Sequence, residues 1–376
     1  MSPSQSYSSY PLYSHPLLKA SASLRDGKVK VDLKGPLARI PRVKSVARLM
    51  ESQIPCLAGE KLCLSTWVPP APSPAFDRFV QSQVKALAGI RTPDQVTISI
   101  TEECPNRCIH CALPDSGHNY RLEPDVAKDV IRQVLGLGAT LVTFDGGEPS
   151  LYRELPELVS SVGEGAISNM FTSGAGFTPD LARSLKEAGL YAVNVSIDSP
   201  VPEEHDAMRG RFGAFRDAMK AIGNALAAGL LVDIYVVIRK GNMKHLSAFH
   251  NLARRSGAHE LTFFEVVPTG RYAGKTGITL SDVDYAELGH FISTASGPRI
   301  FSVPAALSSF GCFAGRTWLH ITPDGQVYPC ACLPKSFGSI FEEPISRIWR
   351  RMGRLPYRGR RKCPVREGQV SFNSQD

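Results

Sequence analysis

Three cysteines stand in one short run, Thr101-Glu-Glu-Cys104-Pro-Asn-Arg-Cys108-Ile-His-Cys111, and few residues in the chain are better suited to chemistry. Thiolates are soft ligands, and three in one loop can hold three irons of a four-iron cube. With no fourth cysteine nearby, one iron would keep an open coordination position, which marks a reactive rather than a structural site. The alternative is a structural zinc with a distant fourth ligand, His110 or His118. A second group, Cys312, Cys330, Cys332 and Cys363, lies toward the C-terminus. Four thiolates can close every position of a second cluster, or hold a zinc ion. Cys332 is only two residues from Cys330, and spacing alone leaves its membership open. Cys56 and Cys63 have no partner histidines, and the plain reading is two small buried residues. Nine cysteines are an odd number, and their clustering in a chain without a secretory pattern favours metal or redox chemistry over disulfides.

Something must position these thiols, and the pattern between them supplies it. From residue 96 strands alternate with amphipathic helices. Strands are expected at 96–101, 141–145, 166–172, 191–197, 231–238 and 261–267, with helices at 124–137, 154–162, 179–188, 214–228 and 245–255. Such alternation implies a parallel sheet wound through right-handed crossovers. Six β/α units suit a partial, open barrel, since a closed eight-unit barrel takes about 250 residues. Chemistry then collects at the C-terminal ends of the strands. The first cysteine group falls just after the first of them. The second strand runs into Phe144-Asp-Gly146-Gly147-Glu148-Pro149, where two glycines permit close backbone approach and Glu148 can help position an ammonium group. Thr172-Ser173-Gly174 ends the third strand and Asn194-Val-Ser196-Ile-Asp198-Ser199 the fourth. Capping of the following helix is the competing role for Asp198 and Ser199.

Around this barrel, residues 1–16 read as a disordered tail. Residues 17–73 read as a small α+β appendage with a hairpin at Asp26-Gly27, a helix near 43–52 and a strand over 61–68. The Pro-rich 69–74 marks the first boundary, the barrel spans 74–300, and 301–376 forms a C-terminal segment. That last segment carries Pro323-Asp324-Gly325 as a hairpin turn and an amphipathic helix near 345–352. The longest near-apolar stretch, 230–238, is too short to span a bilayer and is interrupted by Asp233. The expected compartment is a reducing cytoplasm. The formal charge of +8 sits at the ends: residues 1–73 carry ten Lys and Arg against four Asp and Glu, and 347–367 nine against one. Basic ends around an acidic middle suit an anionic partner, or are simply solvated.

The cysteine triplet on the first βα loop, together with Gly146-Gly147-Glu148-Pro149 after the second strand, resembles the signature of the radical SAM superfamily. The resemblance implies a [4Fe–4S] cluster on Cys104, Cys108 and Cys111, with S-adenosylmethionine (SAM) chelating the fourth iron. It places Gly146, Gly147, Glu148 and Pro149 at the methionine amino group and His110 beside the adenine. Ser173, Ser196 and Asp198 fall near the ribose, and Arg209 is suited to the SAM carboxylate. Asn242 and Pro268-Thr-Gly270-Arg271 lie on the same rim, near adenine. The spacing Cys312-x12-Gly325-x4-Cys330 resembles the opening of the SPASM/twitch extension, without the further cysteines of a full SPASM domain. It implies one auxiliary [4Fe–4S] cluster on Cys312, Cys330, Cys332 and Cys363.

In such an enzyme SAM is cleaved reductively to a 5′-deoxyadenosyl radical that removes hydrogen from an unactivated C–H bond. The electron donor would be a ferredoxin or flavodoxin. Relatives make C–C or C–S bonds in, or otherwise modify, peptides and proteins, and others act on tetrapyrroles or small molecules. A peptide or protein is the favoured substrate, with the appendage available to grip a leader. The rival is an anionic membrane lipid, with Trp349, Leu355 and Tyr357 among arginines either forming an interfacial patch on a protein peripheral at the membrane or, equally, packing on the barrel. Of a different class is a non-catalytic iron–sulfur electron carrier, which leaves Gly-Gly-Glu-Pro unexplained. Nucleic acid is suggested by the Arg-rich tail alone.

Overall fold

The computed structural model describes residues 9–25, 27–51, 54–58, 61–113, 117–356 and 359–370. Strands β1 (Ser9–His15), β2 (Leu18–Arg25) and β3 (Lys28–Lys34) pair antiparallel in that order, with Arg25 opposite Lys28 across the expected hairpin turn. The tail expected to be disordered over 1–16 is therefore ordered from Ser9, and residues 1–8 lie outside the described residues. Tyrosine-rich sequence favours strands once there is a surface to cover. Here Leu12, 1% exposed, packs with Val29, Leu62, Leu64 and Phe76 while Tyr10 and Tyr13 flank them. Helix α1 (Pro41–Met50) follows, then a two-stranded ladder of β4 (Cys56–Ala58) and β5 (Lys61–Cys63). The strand expected over 61–68 stops at Cys63 because the chain turns beneath the barrel. Helix α2 (Pro74–Leu87) opens on Ser73, whose side chain accepts from Phe76 N, a typical N-cap.

The barrel follows the expected rhythm: β6 (Gln95–Ser99), α3 (Pro124–Gly136), β7 (Leu141–Asp145), α4 (Leu155–Val162), β8 (Ile167–Thr172), α5 (Pro179–Glu187), β9 (Ala192–Ser196), α6 (Pro202–Arg209), α7 (Ala214–Ala227), β10 (Leu231–Ile238), α8 (Leu246–Ser256) and β11 (Glu260–Glu265). After it come α9 (Asp282–Thr294), β12 (Arg299–Ser302), α10 (Val303–Phe310), β13 (Trp318–Ile321), β14 (Val327–Tyr328) and α11 (Ile345–Met352). The sheet order is β12-β11-β10-β9-β8-β7-β6-β13-β14, parallel throughout except for the β13–β14 hairpin. The six core strands thus gain parallel neighbours on both flanks. β12 and α6, α9 and α10 carry weak patterns; α9 buries only Leu288, too little to leave an apolar stripe.

Period-two alternation divides each strand between two environments. Ile98, Phe144, Met170, Val193, Val195 and Ile234 are fully buried in the main core. The opposite parity, with Thr97, Asp145, Phe171, Ser196, Tyr235 and Phe264, lines an internal cavity.

The floor of that cavity is a plug from the appendage. Glu260 at the start of β11 accepts from Ser65 Oγ (2.9 Å), Thr66 N (2.7 Å) and Thr66 Oγ1 (2.8 Å), and pairs with Arg299 Nε at 2.8 Å. Arg299 donates in turn to the Leu64 carbonyl. Trp67 Nε1 donates to Thr262 Oγ1 (3.1 Å), which donates to Asp233 Oδ2 (2.7 Å). Burial pushes the Asp233 carboxyl well above its ordinary value. The Trp67 ring stands against Phe171, Tyr235 and Phe301, with centroids 5.9–6.2 Å away.

Of the two roles open to Trp349 and Leu355, interfacial patch or packing on the barrel, they take the second. Trp349 and Leu355 are 5% and 8% exposed in the main core, and the Arg91 guanidinium lies 4.6 Å from the Trp349 ring centroid. The face of α11 that carries Ile345, Ile348, Trp349 and Met352 is its buried face, as the 3.6-residue period requires. Tyr357 lies outside the described residues. Among the described residues no helix is long and apolar enough to cross a membrane.

Replacing Glu260 by Ala leaves the Arg299 charge without its carboxylate and the Ser65 and Thr66 donors without their acceptor in the floor. The expected loss is about 3–5 kcal/mol of stability, read as a lower denaturant midpoint at unchanged slope. A midpoint equal to that of the unsubstituted protein would remove the plug from the account of stability.

Candidate active site

The loop after β6 crosses the mouth of the barrel and is held from three sides. Gly147 N donates to Thr101 O (2.6 Å) and Glu148 N to Glu103 O (2.8 Å). Arg107 N and Ile109 N donate to Arg209 O (2.9 Å) and Met208 O (3.0 Å) at the end of α6, and Arg271 N donates to Cys111 O (2.9 Å). Arg211 Nε adds a 2.6 Å bond to Asn106 Oδ1. These contacts bring Cys104, Cys108 and Cys111, all half-buried, to the cavity wall. The two glycines line the cavity, and they are needed for a second close approach as well. A Cβ on Gly146 would collide with Thr101 O and one on Gly147 with Glu103 O, so both glycines serve close approach to the cysteine loop.

Glu148, unlike the glycines before it, is turned away from the cavity. Wholly buried, it accepts from Ser150 N (3.1 Å), Thr172 Oγ1 (2.7 Å), Ser173 N (2.8 Å) and Ser173 Oγ (2.5 Å). It ties the end of β7 to the end of β8 and fixes Ser173, which does line the cavity. Pro149 is buried in the short turn that follows. Ser196, Gly146, Gly147, His110 and Arg209 also reach the cavity.

Asp198 sits behind that wall at 0% exposure. It pairs with Arg209 Nε at 2.7 Å and with His110 Nε2 at 3.4 Å, while Arg209 Nη1 stands 3.6 Å from Cys108 Sγ. Burial alone would raise the Asp198 carboxyl, but Arg209, then His110 and His205, hold it below its ordinary range. The guanidinium is therefore oriented by one anion and presented to a thiol on its other side. Asn242 is spent on the chain itself, donating to Val237 O (3.1 Å) and Asp198 O (3.3 Å).

One residue that sequence reasoning passed over faces the same space. Asp145 ends β7 directly before the glycines and lines the cavity, and burial first, then Glu148, pushes its carboxyl up to about 6. Its signal was its parity: it shares a strand face with cavity-lining Leu141.

The second group of cysteines converges as expected. Cys312, Cys330 and Cys332 are 6–8% exposed and pack in one cluster with Leu333 and Val365, with Cys363 at its edge. Gly315 N donates to Trp318 O and Pro329 O (both 3.0 Å), and Cys312 N to Arg360 O (2.6 Å), which draws the distant Cys363 segment in. Phe264 and Val267 of the barrel pack against the group, and Cys332 also borders the cavity. Burial pushes the thiols of Cys104 and Cys363 up to about 11 and raises Cys312, Cys330 and Cys332 as well. Buried thiols of this kind become thiolates when a metal supplies the compensating charge. The zinc alternative asks for sulfurs about 3.8 Å apart around one ion. Among the described residues no group of three or more His, Cys, Asp or Glu is gathered closely enough to hold a single metal ion. The thiols on the cavity wall, with the Arg209 guanidinium beside Cys108, and the buried set that reaches the cavity through Cys332 have the soft-donor chemistry of iron–sulfur cluster ligands.

Comparison with known proteins agrees. Residues 98–253 match the model of the radical SAM superfamily, and 312–365 that of an iron–sulfur cluster-binding domain, SPASM. The chain is 27% identical over 294 residues to the AdoMet-dependent heme synthase of Nitratidesulfovibrio vulgaris, covering 70% of this chain and 80% of that one. It is 27% identical over 283 residues to the PqqA peptide cyclase of Rhizobium meliloti, covering 70% and 76%. The fold matches the crystal structure of Streptococcus suis SuiB bound to precursor peptide SuiA, with a TM-score of 0.59 at 13% identity over 96% of this chain and 91% of that one. The chain is a radical SAM enzyme with a C-terminal SPASM domain. Its cofactors are accordingly a [4Fe–4S] cluster with SAM, and auxiliary iron–sulfur.

Gly147→Ala should push the cysteine loop off β7 while leaving the second cysteine group intact. The iron bound on reconstitution should then fall by about half, measured by metal analysis against protein. Full iron content in that variant would mean the close approach does not govern the site.

Proposed function

We propose that the enzyme modifies an unactivated C–H position in a peptide or protein segment, forming a C–C or C–S bond or an equivalent change. The observation that carries this reading is the cavity, about 1800 Å³, which borders both the Cys104–Cys108–Cys111 loop and Cys332. Sites for single small molecules run to about 1,000 Å³, so this cavity is larger than SAM alone would require. When bound, the cluster and SAM supply a radical able to remove hydrogen from such a carbon. The chain's own residues do the rest. Cys104, Cys108 and Cys111 hold the first cluster, and Cys312, Cys330, Cys332 and Cys363 the auxiliary one. Arg209, steered by Asp198, offers a fork for the SAM carboxylate. Ser173 and Ser196 present hydroxyls at the strand ends, and the Trp67 floor keeps water out from below. A named peptide cyclase among the relatives supports a peptide substrate.

A second reading is a tetrapyrrole. Trp67, Phe171, Tyr235, Phe264 and Phe301 give the cavity flat aromatic walls, and a relative is named a heme synthase.

Under strict anaerobiosis, the reduced holoenzyme should convert SAM to 5′-deoxyadenosine, and Cys104→Ser should abolish it. Deuterium carried from a labelled peptide pool into 5′-deoxyadenosine supports the peptide; transfer only from labelled iron porphyrins overturns it in favour of the macrocycle.

A further inference from the structure

Cys56 and Cys63 belong to neither group of proposed ligands, yet the fold sets them directly opposite one another across the β4–β5 ladder. Directly opposed residues of an antiparallel pair stand about 4.5–5.5 Å apart at Cα, inside the span of about 4.4–6.8 Å that a disulfide requires. The two side chains are in hydrogen-bonding contact, and Cys56 Sγ lies 3.8 Å from the Cys63 carbonyl oxygen. Cys63 is 1% exposed, whereas Cys56 is half-buried and open to reagents from one side. On its inner side Cys63 makes a second side-chain hydrogen bond, to Tyr191. The Tyr191 hydroxyl donates onward to Ser65 O at 3.2 Å, and Ser65 is part of the plug on Glu260. A continuous chain of contacts therefore runs from a surface-accessible thiol to the floor of the cavity.

We propose that Cys56 and Cys63 are a reversible dithiol–disulfide site coupled to the plug at residues 64–68. The co-reactant is a low-molecular-weight disulfide. The Cys56 thiolate attacks one of its sulfurs and expels the first small thiol. Cys63 then attacks the Cys56 sulfur of the mixed disulfide and expels the second. The two protein thiols lose two protons and two electrons, and the small disulfide is reduced to two thiols. Oxidation removes the Cys63 S–H, and with it one link of the Cys63–Tyr191–Ser65 chain. The hydrogen bond with Cys63, and then burial, push the Cys56 thiol up, so exchange is slow and answers to a sustained change in thiol poise.

The test uses full-length reconstituted holoprotein, equilibrated anaerobically in glutathione buffers of rising disulfide fraction, acid-quenched, alkylated and digested. The expected product joins the peptides carrying Cys56 and Cys63, lighter by about 2 Da than the two thiols, and reverts with dithiothreitol. Amide exchange over 62–68 should differ between oxidised and reduced protein, and should stay constant in Cys56→Ser under the same buffers. Iron content of Cys56→Ser should equal that of the unsubstituted protein. Alkylation of both cysteines in every buffer, or glutathione retained on Cys56 with Cys63 still alkylatable, overturns the site. Loss of iron in Cys56→Ser assigns Cys56 to metal and overturns it equally. Identical exchange over 62–68 in the two redox states overturns the coupling.

Discussion

Backbone-to-backbone contact between the end of β7 and the cysteine loop is the constraint on which the site depends. Gly147 N and Glu148 N reach the Thr101 and Glu103 carbonyls at 2.6 and 2.8 Å, and no side chain fits between them. Hydrogen bonds that short require the loop to lie flat across the strand ends. The thiols of Cys104, Cys108 and Cys111 are then delivered to the cavity wall as a set. Glu148 continues the same joint to β8 by spending its carboxylate on Thr172 and Ser173. The Gly-Gly-Glu run is thus a structural clamp, and its two glycines line the cavity together with Asp145 and Ser173.

The second feature is that the first thiol group and Cys332 of the second, far apart in sequence, border one space. Phe264 makes the join: it packs on the Cys312–Cys330–Cys332 cluster and stacks with Tyr235 at 5.9 Å inside the barrel. Tyr235 in turn meets Phe171 edge-on at 4.7 Å. These rings therefore line the stretch of cavity between the first cysteine loop and Cys332. The appendage completes the enclosure from below, through the Glu260–Arg299 pair and Trp67.

Much of this was written locally in the sequence. The cysteine spacings, Gly146-Gly147-Glu148-Pro149 and the six core strands are short-range patterns, and observed strand ends lie within two residues of those expected. What was hidden is non-local. Ser65 and Glu260 meet across 195 positions, and no periodicity announces that pairing. β1 was hidden because a Ser/Tyr-rich run looks polar until Leu12 finds its pocket. Trp349 and Leu355 among arginines suited an interface or the core equally, since a basic helix can bury one apolar stripe and keep its charges in water. Asp198 and Glu148 were legible as site residues, but their carboxylates serve Arg209, Ser173 and Thr172 rather than the open cavity.

The most direct measurement is low-temperature electron paramagnetic resonance of the reduced holoprotein, with and without SAM. Two cluster signals are expected, and SAM should shift the g-values of one while leaving the other unchanged. The shifted signal should be missing from Cys108→Ser and retained in Cys330→Ser. A spectrum indifferent to SAM in the unsubstituted protein, with iron fully incorporated, would contradict the account.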